Sequence, residues 1–207
     1  MGKLFLQELL DEIIKETITP ELKKSGFKKL ARNYYKGFEH FGLCFNIQSS
    51  HYNYEEEIKF TFNTGIFVPD LYVIYYNCEL PKFPKEYECF NRRRIGELMN
   101  SSDYWYTISA NTNFEALKNQ IKAHFDEFIH PYFLKFNKDK DIIDLYYSKT
   151  YSKAPYDYAF LSGFIILYGN HKHGEQLLRE HYGNITNDAY RETIRRYSNK
   201  LGIFIEI

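Results

Sequence analysis

The sequence predicts an α+β protein in which an antiparallel sheet of about four strands is flanked by N-terminal and following helices and succeeded by a C-terminal helical segment. Two segments, 41–49 and 58–66, alternate apolar and polar side chains with the period of a half-buried strand. Apolar residues recur at helical spacing near the N-terminus and again from Phe114 onward. At 207 residues the chain is long enough for one core with an appendage. We expect an α+β domain over 1–137 and a helical extension packed on it over 138–207.

The first helix is predicted from an apolar stripe over 6–18, with charged side chains on the opposite face. Pro20 interrupts this stripe and suits the first turn of a short second helix over 21–25. Gly26 is placed to adopt the left-handed conformation that ends many helices. Strands are therefore expected to begin after Gly26.

The strands over 41–49 and 58–66 have the clearest alternation of apolar and polar residues, and the polar segment 50–57 between them has the length of a hairpin loop. A first strand is expected over 33–37 and a last one over 104–109. The stretch 69–87 contains Pro81 and Pro84, which exclude a long regular element. We expect strand fragments and loop there.

A helix is predicted after Thr112 and Glu115, which have the spacing of a capping box, and it is expected to end before Pro131. The C-terminal segment shows further helical patterns. We expect helices over 139–147, 156–168, 174–181 and 187–200, and a short closing strand over 203–207.

Composition limits the classes of function. Lys plus Arg and Asp plus Glu both total 27, so the chain has no overall attraction to nucleic acid or to an anionic membrane. Cys44, Cys78 and Cys89 are an odd number without CxxC spacing, which argues against a disulfide framework and predicts reduced thiols. The N-terminus lacks a signal-peptide pattern, and no apolar run approaches the roughly 18 residues of a spanning helix. We therefore expect a cytoplasmic protein with no membrane partner.

No specific catalytic signature is present, because the sequence has no phosphate-binding glycine loop, HExxH or GxSxG motif. This favours a non-catalytic protein without excluding an enzyme, and no cofactor is expected. His171, His173 and His181, with Asp188 nearby, could supply metal ligands. Histidines in a turn between helices usually bind no metal, and we expect no metal site.

Two basic segments could meet phosphates. The stretch 23–36 is basic and contains Tyr34 and Tyr35, which could stack on bases. Alternatively, it is a solvated helix end and a strand edge where lysines prevent edge-to-edge pairing. The run Arg92 to Arg94 could contact a phosphate or an acidic protein, or it could be a hydrated loop.

Aromatic residues make up 19% of the chain, so some rings are available for a partner-binding surface. Trp105 lies between Tyr104 and Tyr106 in a predicted strand, so its ring and theirs occupy opposite faces. Trp105 could anchor a partner or pack in the core. Gln48 and Asn63 are polar residues in adjacent predicted strands, and the face they occupy depends on the strand register.

The order of these residues resembles that of an uncharacterised, mainly bacterial family, domain of unknown function 4304, over about residues 1–135. The resemblance implies an antiparallel sheet flanked by helices and implies no known activity. Thr64 stands where an aliphatic residue is expected, and the helices from about Lys138 lie outside the family pattern. Some small bacterial α+β proteins are immunity partners of secreted toxins, which suggests an immunity-like role by analogy of fold. The residues that carry the resemblance are Leu22, 26–29, Tyr34, Tyr35, 45–50, 60–66, 94–96, 104–106 and Pro131.

The sequence therefore predicts a non-catalytic, immunity-like protein-binding module that uses Gln48, Asn63, Arg94 and Trp105. A protein partner is expected ahead of nucleic acid. One alternative is a nucleic-acid-associated protein that uses 23–36. The other is a small-molecule-binding protein whose pocket lies between the sheet and the C-terminal helices, lined by Gln48, Asn63 and Arg94.

Overall fold

A computed structural model describes residues 3–148 and 155–205. It has a mixed α+β architecture built on one antiparallel sheet, as predicted. The helices are α1 (Lys3–Glu16), α2 (Ile18–Lys24), α3 (Pro69–Tyr76), α4 (Ile95–Leu98), α5 (Phe114–His124), α6 (His130–Leu134), α7 (Asp139–Ser148), α8 (Pro155–Tyr168), α9 (His171–Gly183) and α10 (Asp188–Lys200). The strands are β1 (Lys28–Leu30), β2 (Asn33–Gly37), β3 (Gly42–Ser49), β4 (Glu57–Phe67), β5 (Phe90–Arg94) and β6 (Tyr106–Ser109).

The strands follow the spatial order β1-β2-β3-β4-β5, and β6 pairs with β4 as well. β4 is long enough to serve two partners on one edge: its first half pairs with β6 and its second half with β5. The four predicted strands of the sheet are present as β2, β3, β4 and β6, and the predicted loop over 50–57 joins β3 to β4. β1 and β5 are additions to the predicted set of four.

Gly26 follows Ser25, the C-cap of α2, and adopts a left-handed φ of +89°, as predicted. The prediction for 69–87 is wrong, because its first part is the helix α3. Pro69 occupies the start of that helix, where a missing N–H costs no hydrogen bond. Pro81 and Pro84 lie beyond Asn77, which ends α3 with a φ of 55°, in the loop that leads to a 3-10 turn over Glu86–Glu88.

The helix after β6 begins differently from the prediction. The Asn113 side chain accepts the Ala116 N–H at 3.1 Å and caps α5, whereas Thr112 Oγ1 accepts the Ser109 N–H at 2.8 Å. Helical structure also continues past Pro131. A π-helical turn, Phe125–Ile129, joins α5 to α6. Pro131 has no N–H to donate to the preceding turn, and the wider π-helical turn allows the helix to continue without that hydrogen bond.

The two faces of the sheet have separate apolar clusters. The main core lies on the face that packs against the helices, where the Phe133 ring of α6 meets Phe45 of β3 with ring centroids 6.3 Å apart. On the opposite face, Cys44, Phe67 and Cys89 form a small cluster, with Tyr35 and Tyr72 packed against it. Cys44, Cys78 and Cys89 are free thiols.

Helix α8 packs beside β5. The Phe160 ring stacks on Phe90 with centroids 6.0 Å apart, and the Asp157 carboxylate accepts the backbone N–H of Asn91 at 2.7 Å. Helices α7 to α10 follow the predicted ranges closely. The predicted closing strand is absent over 203–205, and residues 206 and 207 lie outside the described residues. Within the described ranges, no helix combines the length and hydrophobicity needed to cross a membrane.

Candidate functional site

A row of polar side chains crosses four strands of the sheet. The register aligns Asn33 of β2 with Asn46 of β3, Asn46 with Asn63 of β4, and Asn63 with Arg94 of β5. Residues paired in this way project on the same face of a sheet. Along β3, Asn46 lies two residues from Cys44 of the small cluster, so the row occupies the face opposite the main core.

Hydrogen bonds join this row to further side chains. Asn46 Nδ2 donates to Asn33 Oδ1 at 2.8 Å, and Asn63 Nδ2 donates to Gln48 Oε1 at 2.9 Å. Arg94 Nε donates to Asn63 Oδ1 at 3.1 Å. We call the connected set the polar network. Its members are Asn33, Asn46, Gln48, Asn63, Arg94, Asp103 and Trp105.

Arg94 connects Asp103 and Trp105 to the rest of the polar network. Its Nη1 donates to both carboxylate oxygens of Asp103, at 2.7 and 2.8 Å. Asp103 also accepts the indole N–H of Trp105 at 2.8 Å, and the Arg94 guanidinium lies 5.3 Å from the centre of the Trp105 ring. The hydrogen bond from Arg94 and that from Trp105 lower the pKa of Asp103. The carboxylate is therefore ionised at neutral pH and keeps both cation and ring in place.

Arg94 also sets the direction of the amide groups, because a guanidinium can only donate hydrogen bonds. Its neighbours Asn63 and Gln48 must present their oxygens to it, and Arg94 Nη2 contacts Gln48 Oε1 at 3.4 Å. The amide nitrogen of Gln48 then points away from the polar network and makes no hydrogen bond within the described residues. The Asn33 amide is oriented in the same way, because its oxygen accepts from Asn46 and its nitrogen makes no hydrogen bond within the described residues. Both half-exposed amides thus offer N–H donors to solvent.

The three consecutive arginines of β5 each bind a different carboxylate. Arg92 Nε lies 2.6 Å from buried Glu86, and Arg93 Nη1 lies 3.1 Å from Glu97. Partial burial acts to lower the pKa of Arg92, but the hydrogen bond and charge of Glu86 outweigh it and raise that pKa overall. The arginines belong to a strand, and the interpretation as a hydrated loop is wrong because each is held by an acidic partner.

These ion pairs line an open cleft of about 350 Å³, together with Asn63. Its walls come from β4, β5, α4, the 3-10 turn and the loop that contains Asp103. The cleft differs from the predicted pocket, because none of the described residues of the C-terminal helices lines it and Gln48 lies outside it. Three cations face three carboxylates, so the cleft has little net charge.

A family model described as "Domain of unknown function (DUF4304)" matches residues 18–135, which is more than half of the chain. The chain belongs to the DUF4304 family. The DUF4304 match begins at the first residue of α2 and ends one residue after α6, so the whole polar network lies inside it. No curated protein and no solved structure matches the chain.

All four predicted site residues of this DUF4304 protein, Gln48, Asn63, Arg94 and Trp105, lie in the polar network. Sequence reasoning missed the other three members. Asn46 could have been found, because it lies two residues before Gln48 in a predicted strand and so shares its face. Asn33 lies at the start of another predicted strand, but nothing in the sequence indicates which face it occupies. Asp103 carries no sequence signal beyond its position two residues before Trp105.

The basic stretch of the DUF4304 region has no exposed ring platform. Tyr34 is fully buried, with its hydroxyl 2.7 Å from Thr19 Oγ1, and the Tyr35 ring packs against Phe67 and Phe83. β1 presents Lys28 and Lys29 at the exposed edge of the sheet, where lysines prevent edge-to-edge pairing. The two tyrosines are therefore in no position to stack on bases.

His173 and His181 of the C-terminal helices lie outside the DUF4304 match and contact different tyrosines, and His171 is exposed. His181 Nε2 lies 3.1 Å from the Tyr190 hydroxyl, and its ring packs against Tyr158. Burial lowers the pKa of His181. The His173 ring stacks on Tyr147. Among the residues the structure describes, no group of three or more His, Cys, Asp or Glu side chains is arranged to hold a metal ion.

Proposed function

We propose that this protein is a non-catalytic protein-binding module and that the polar network is its contact surface. The observation that carries the proposal is the pairing of Trp105 with Arg94 on a sheet face opposite the main core. Both side chains are half-exposed, and Asp103 binds both of them. Trp and Arg dominate the residues that contribute most to protein–protein affinity.

The geometry favours binding in a second way, because the contact residues are already ordered. Asp103 accepts two hydrogen bonds from Arg94 and one from Trp105, so neither large side chain needs to be immobilised when a partner arrives. Preorganisation of this kind removes about 0.5–1.5 kcal/mol of ordering cost for each flexible side chain. The outward N–H groups of Gln48 and Asn33 match hydrogen-bond acceptors, such as exposed main-chain carbonyls, on a partner.

The test is a quantitative affinity capture. The tagged protein is immobilised and exposed to lysate of its own source at moderate salt, and retained proteins are quantified by mass spectrometry. The same is done with Trp105→Ala and Gln48→Ala. We expect Trp105→Ala to reduce retention of the specific partner by about 30-fold, which corresponds to a loss of about 2 kcal/mol.

Tyr147→Ala is the matched control, because Tyr147 is an exposed aromatic residue on α7, outside the polar network. It should retain the partner as the unmodified protein does. Circular dichroism must first show that every variant is folded. If Trp105→Ala captured the same proteins in the same amounts, the polar network would not be the contact surface and the proposal would be wrong.

We propose further that the module is immunity-like and acts in the bacterial cytoplasm. Free thiols at Cys44, Cys78 and Cys89 support a reducing compartment. An immunity-like module holds one dominant partner at an equimolar ratio. Retention of many proteins, each far below that ratio, would contradict this part of the proposal.

Binding of a small molecule is the second candidate, and the 350 Å³ cleft favours it. Ligand sites in proteins are about 300–1,000 Å³. Because cations and carboxylates alternate around the cleft, a zwitterion such as an amino acid or dipeptide matches it best. A thermal-shift screen of such compounds should raise the melting temperature of the unmodified protein but not of Glu97→Gln. The absence of any stabilising compound would count against this candidate.

A further inference from the structure

A second cleft lies between the C-terminal end of α3 and the last two turns of α10, with a volume of about 480 Å³. None of its described lining residues carries a carboxylate. Two of them, Arg196 and Lys200, are cationic, and Asn77, Thr193 and Asn199 add hydrogen-bonding groups. The cleft is therefore electropositive, in contrast to the 350 Å³ cleft, where three cations are balanced by three carboxylates.

Arg196 is unusual among the arginines of this chain. Each of the other seven forms an ion pair with a carboxylate or, in the case of Arg191, lies over the ring of Tyr182. Among the described residues, no carboxylate lies within ion-pair distance of Arg196. Glu192 lies four residues before Arg196, but its carboxylate is bound by Arg195 at 2.8 Å, and this hydrogen bond is the main cause of its lowered pKa. The Arg196 guanidinium thus remains available to an anion.

Lys200 is held at the same cleft by its contacts with the end of α3. Its ammonium donates to the carbonyl oxygen of Ile74 at 3.2 Å and to Asn77 Oδ1 at 2.7 Å, which leaves one of its three N–H groups for another acceptor. This interaction compensates the partial negative charge at the C-terminus of α3. Arg196 lies four residues before Lys200 on α10, so the two cations share a helix face and repel each other. An anion bound between them relieves that repulsion.

Tyrosine rings form the remaining wall of the cleft. Tyr197 is buried beneath it, and the Tyr75 ring packs on Tyr197 with centroids 5.4 Å apart. Tyr76 is 46% exposed, so one ring is accessible to a ligand. Aromatic rings of this kind stack on planar ligands.

We propose that this cleft binds an organic phosphate that carries an aromatic ring, as a mononucleotide does. Arg196 and Lys200 bind the phosphate, and Tyr76 packs against the ring. The volume suits a ligand of this size, and charge-assisted hydrogen bonds from Arg and Lys are the usual means of phosphate recognition. The site shares no residue with the polar network, so its test is independent of the proposed protein-binding function.

The experiment is calorimetric titration of the full chain with adenosine 5′-monophosphate, and separately with adenosine and with inorganic phosphate. We expect saturable binding of the nucleotide and an affinity about tenfold or more lower in Arg196→Gln. Arg191→Gln is the matched control, because Arg191 is an arginine of α10 that lies over the Tyr182 ring and does not line the cleft. Its affinity should stay within about twofold of the unmodified protein. Tyr76→Ala should weaken binding of the nucleotide but not of inorganic phosphate.

Three results would overturn the proposal. The first is the absence of saturable nucleotide binding up to about 10 mM, which corresponds to less than about 3 kcal/mol of binding free energy. The second is an equal loss of affinity in Arg191→Gln and Arg196→Gln, which would indicate general attraction to a basic helix. The third is equal affinity for the nucleotide and for inorganic phosphate, which would remove the role of the ring.

Discussion

Removal of Asn63 is the sharpest test of whether the polar network acts as one unit. Asn63 is only 4% exposed and lies at the centre of the network. Its amide donates to Gln48 at 2.9 Å and accepts from Arg94 at 3.1 Å, with a longer contact of 3.5 Å to Asn46. Asn63→Ala removes one neutral and one charge-assisted hydrogen bond. These contribute about 1 and 2 kcal/mol respectively.

The expected destabilisation is about 2 kcal/mol rather than 3, because Gln48 and Arg94 are half-exposed and water replaces part of what they lose. The free energy of unfolding is measured by urea denaturation. Trp105 is the only tryptophan in the sequence and belongs to the network, so its fluorescence reports on the site itself. Circular dichroism of the helices provides a second probe.

A double-mutant cycle with Arg94→Ala isolates the interaction. If Asn63 and Arg94 support each other, the two losses of unfolding free energy will deviate from additivity by about 1–2 kcal/mol. Asn184→Ala is the matched control, because the Asn184 amide makes a single exposed hydrogen bond to the Glu180 carbonyl. It should cost less than about 0.5 kcal/mol. Additivity of the Asn63 and Arg94 losses to within about 0.3 kcal/mol would refute the view that the network is a unit.

Two further predictions concern titrating groups. Burial lowers the pKa of His181 and of His124 in the folded protein, so the unfolded protein binds more protons near the ordinary histidine pKa of about 6.5. The free energy of unfolding should therefore fall as the pH drops below about 6.5. This fall should be smaller in His181→Gln. If the unfolding free energy of both proteins changed equally with pH, burial of His181 would not be its cause. A thiol reagent should label exposed Cys78 in the folded protein but label buried Cys44 and Cys89 only after unfolding, since burial also raises the pKa of Cys89. Rapid labelling of all three thiols in the folded protein would show that the small cluster opens readily.

The alternation of side chains was sufficient to predict β3 and β4 and to bring Gln48 and Asn63 onto neighbouring strands. It could not predict their common face, because a slip of one residue in the pairing reverses every side chain. The register pairs Asn46 with Asn63, which places Gln48 diagonally across from Asn63. The position of Asp103 depends on β4 pairing with both β5 and β6, and no local pattern encodes that.

The error at α3 has a different physical cause. The segment is rich in β-branched and aromatic residues, which favour strands in isolation. In the folded protein, Tyr75 of α3 packs against Phe160 of α8 and Tyr197 of α10, with ring centroids 5.3 and 5.4 Å apart. These contacts come from residues more than 80 positions later in the chain. Tertiary packing therefore outweighs the local propensity, and no window around α3 contains the information.

Burial in the core explains why the many aromatic residues of this chain do not all form binding surfaces. Tyr106 faces the main core, where its ring stacks on Phe60 with centroids 5.0 Å apart, and its hydroxyl lies 2.8 Å from His124 Nδ1. Trp105 is its neighbour in sequence but projects to the other face, where it contacts only the charged pair of Arg94 and Asp103 among the interactions described. Because the indole contributes little to the core, a loss of partner affinity in Trp105→Ala reports on the binding surface rather than on folding. That separation makes the proposed function testable with a single side chain.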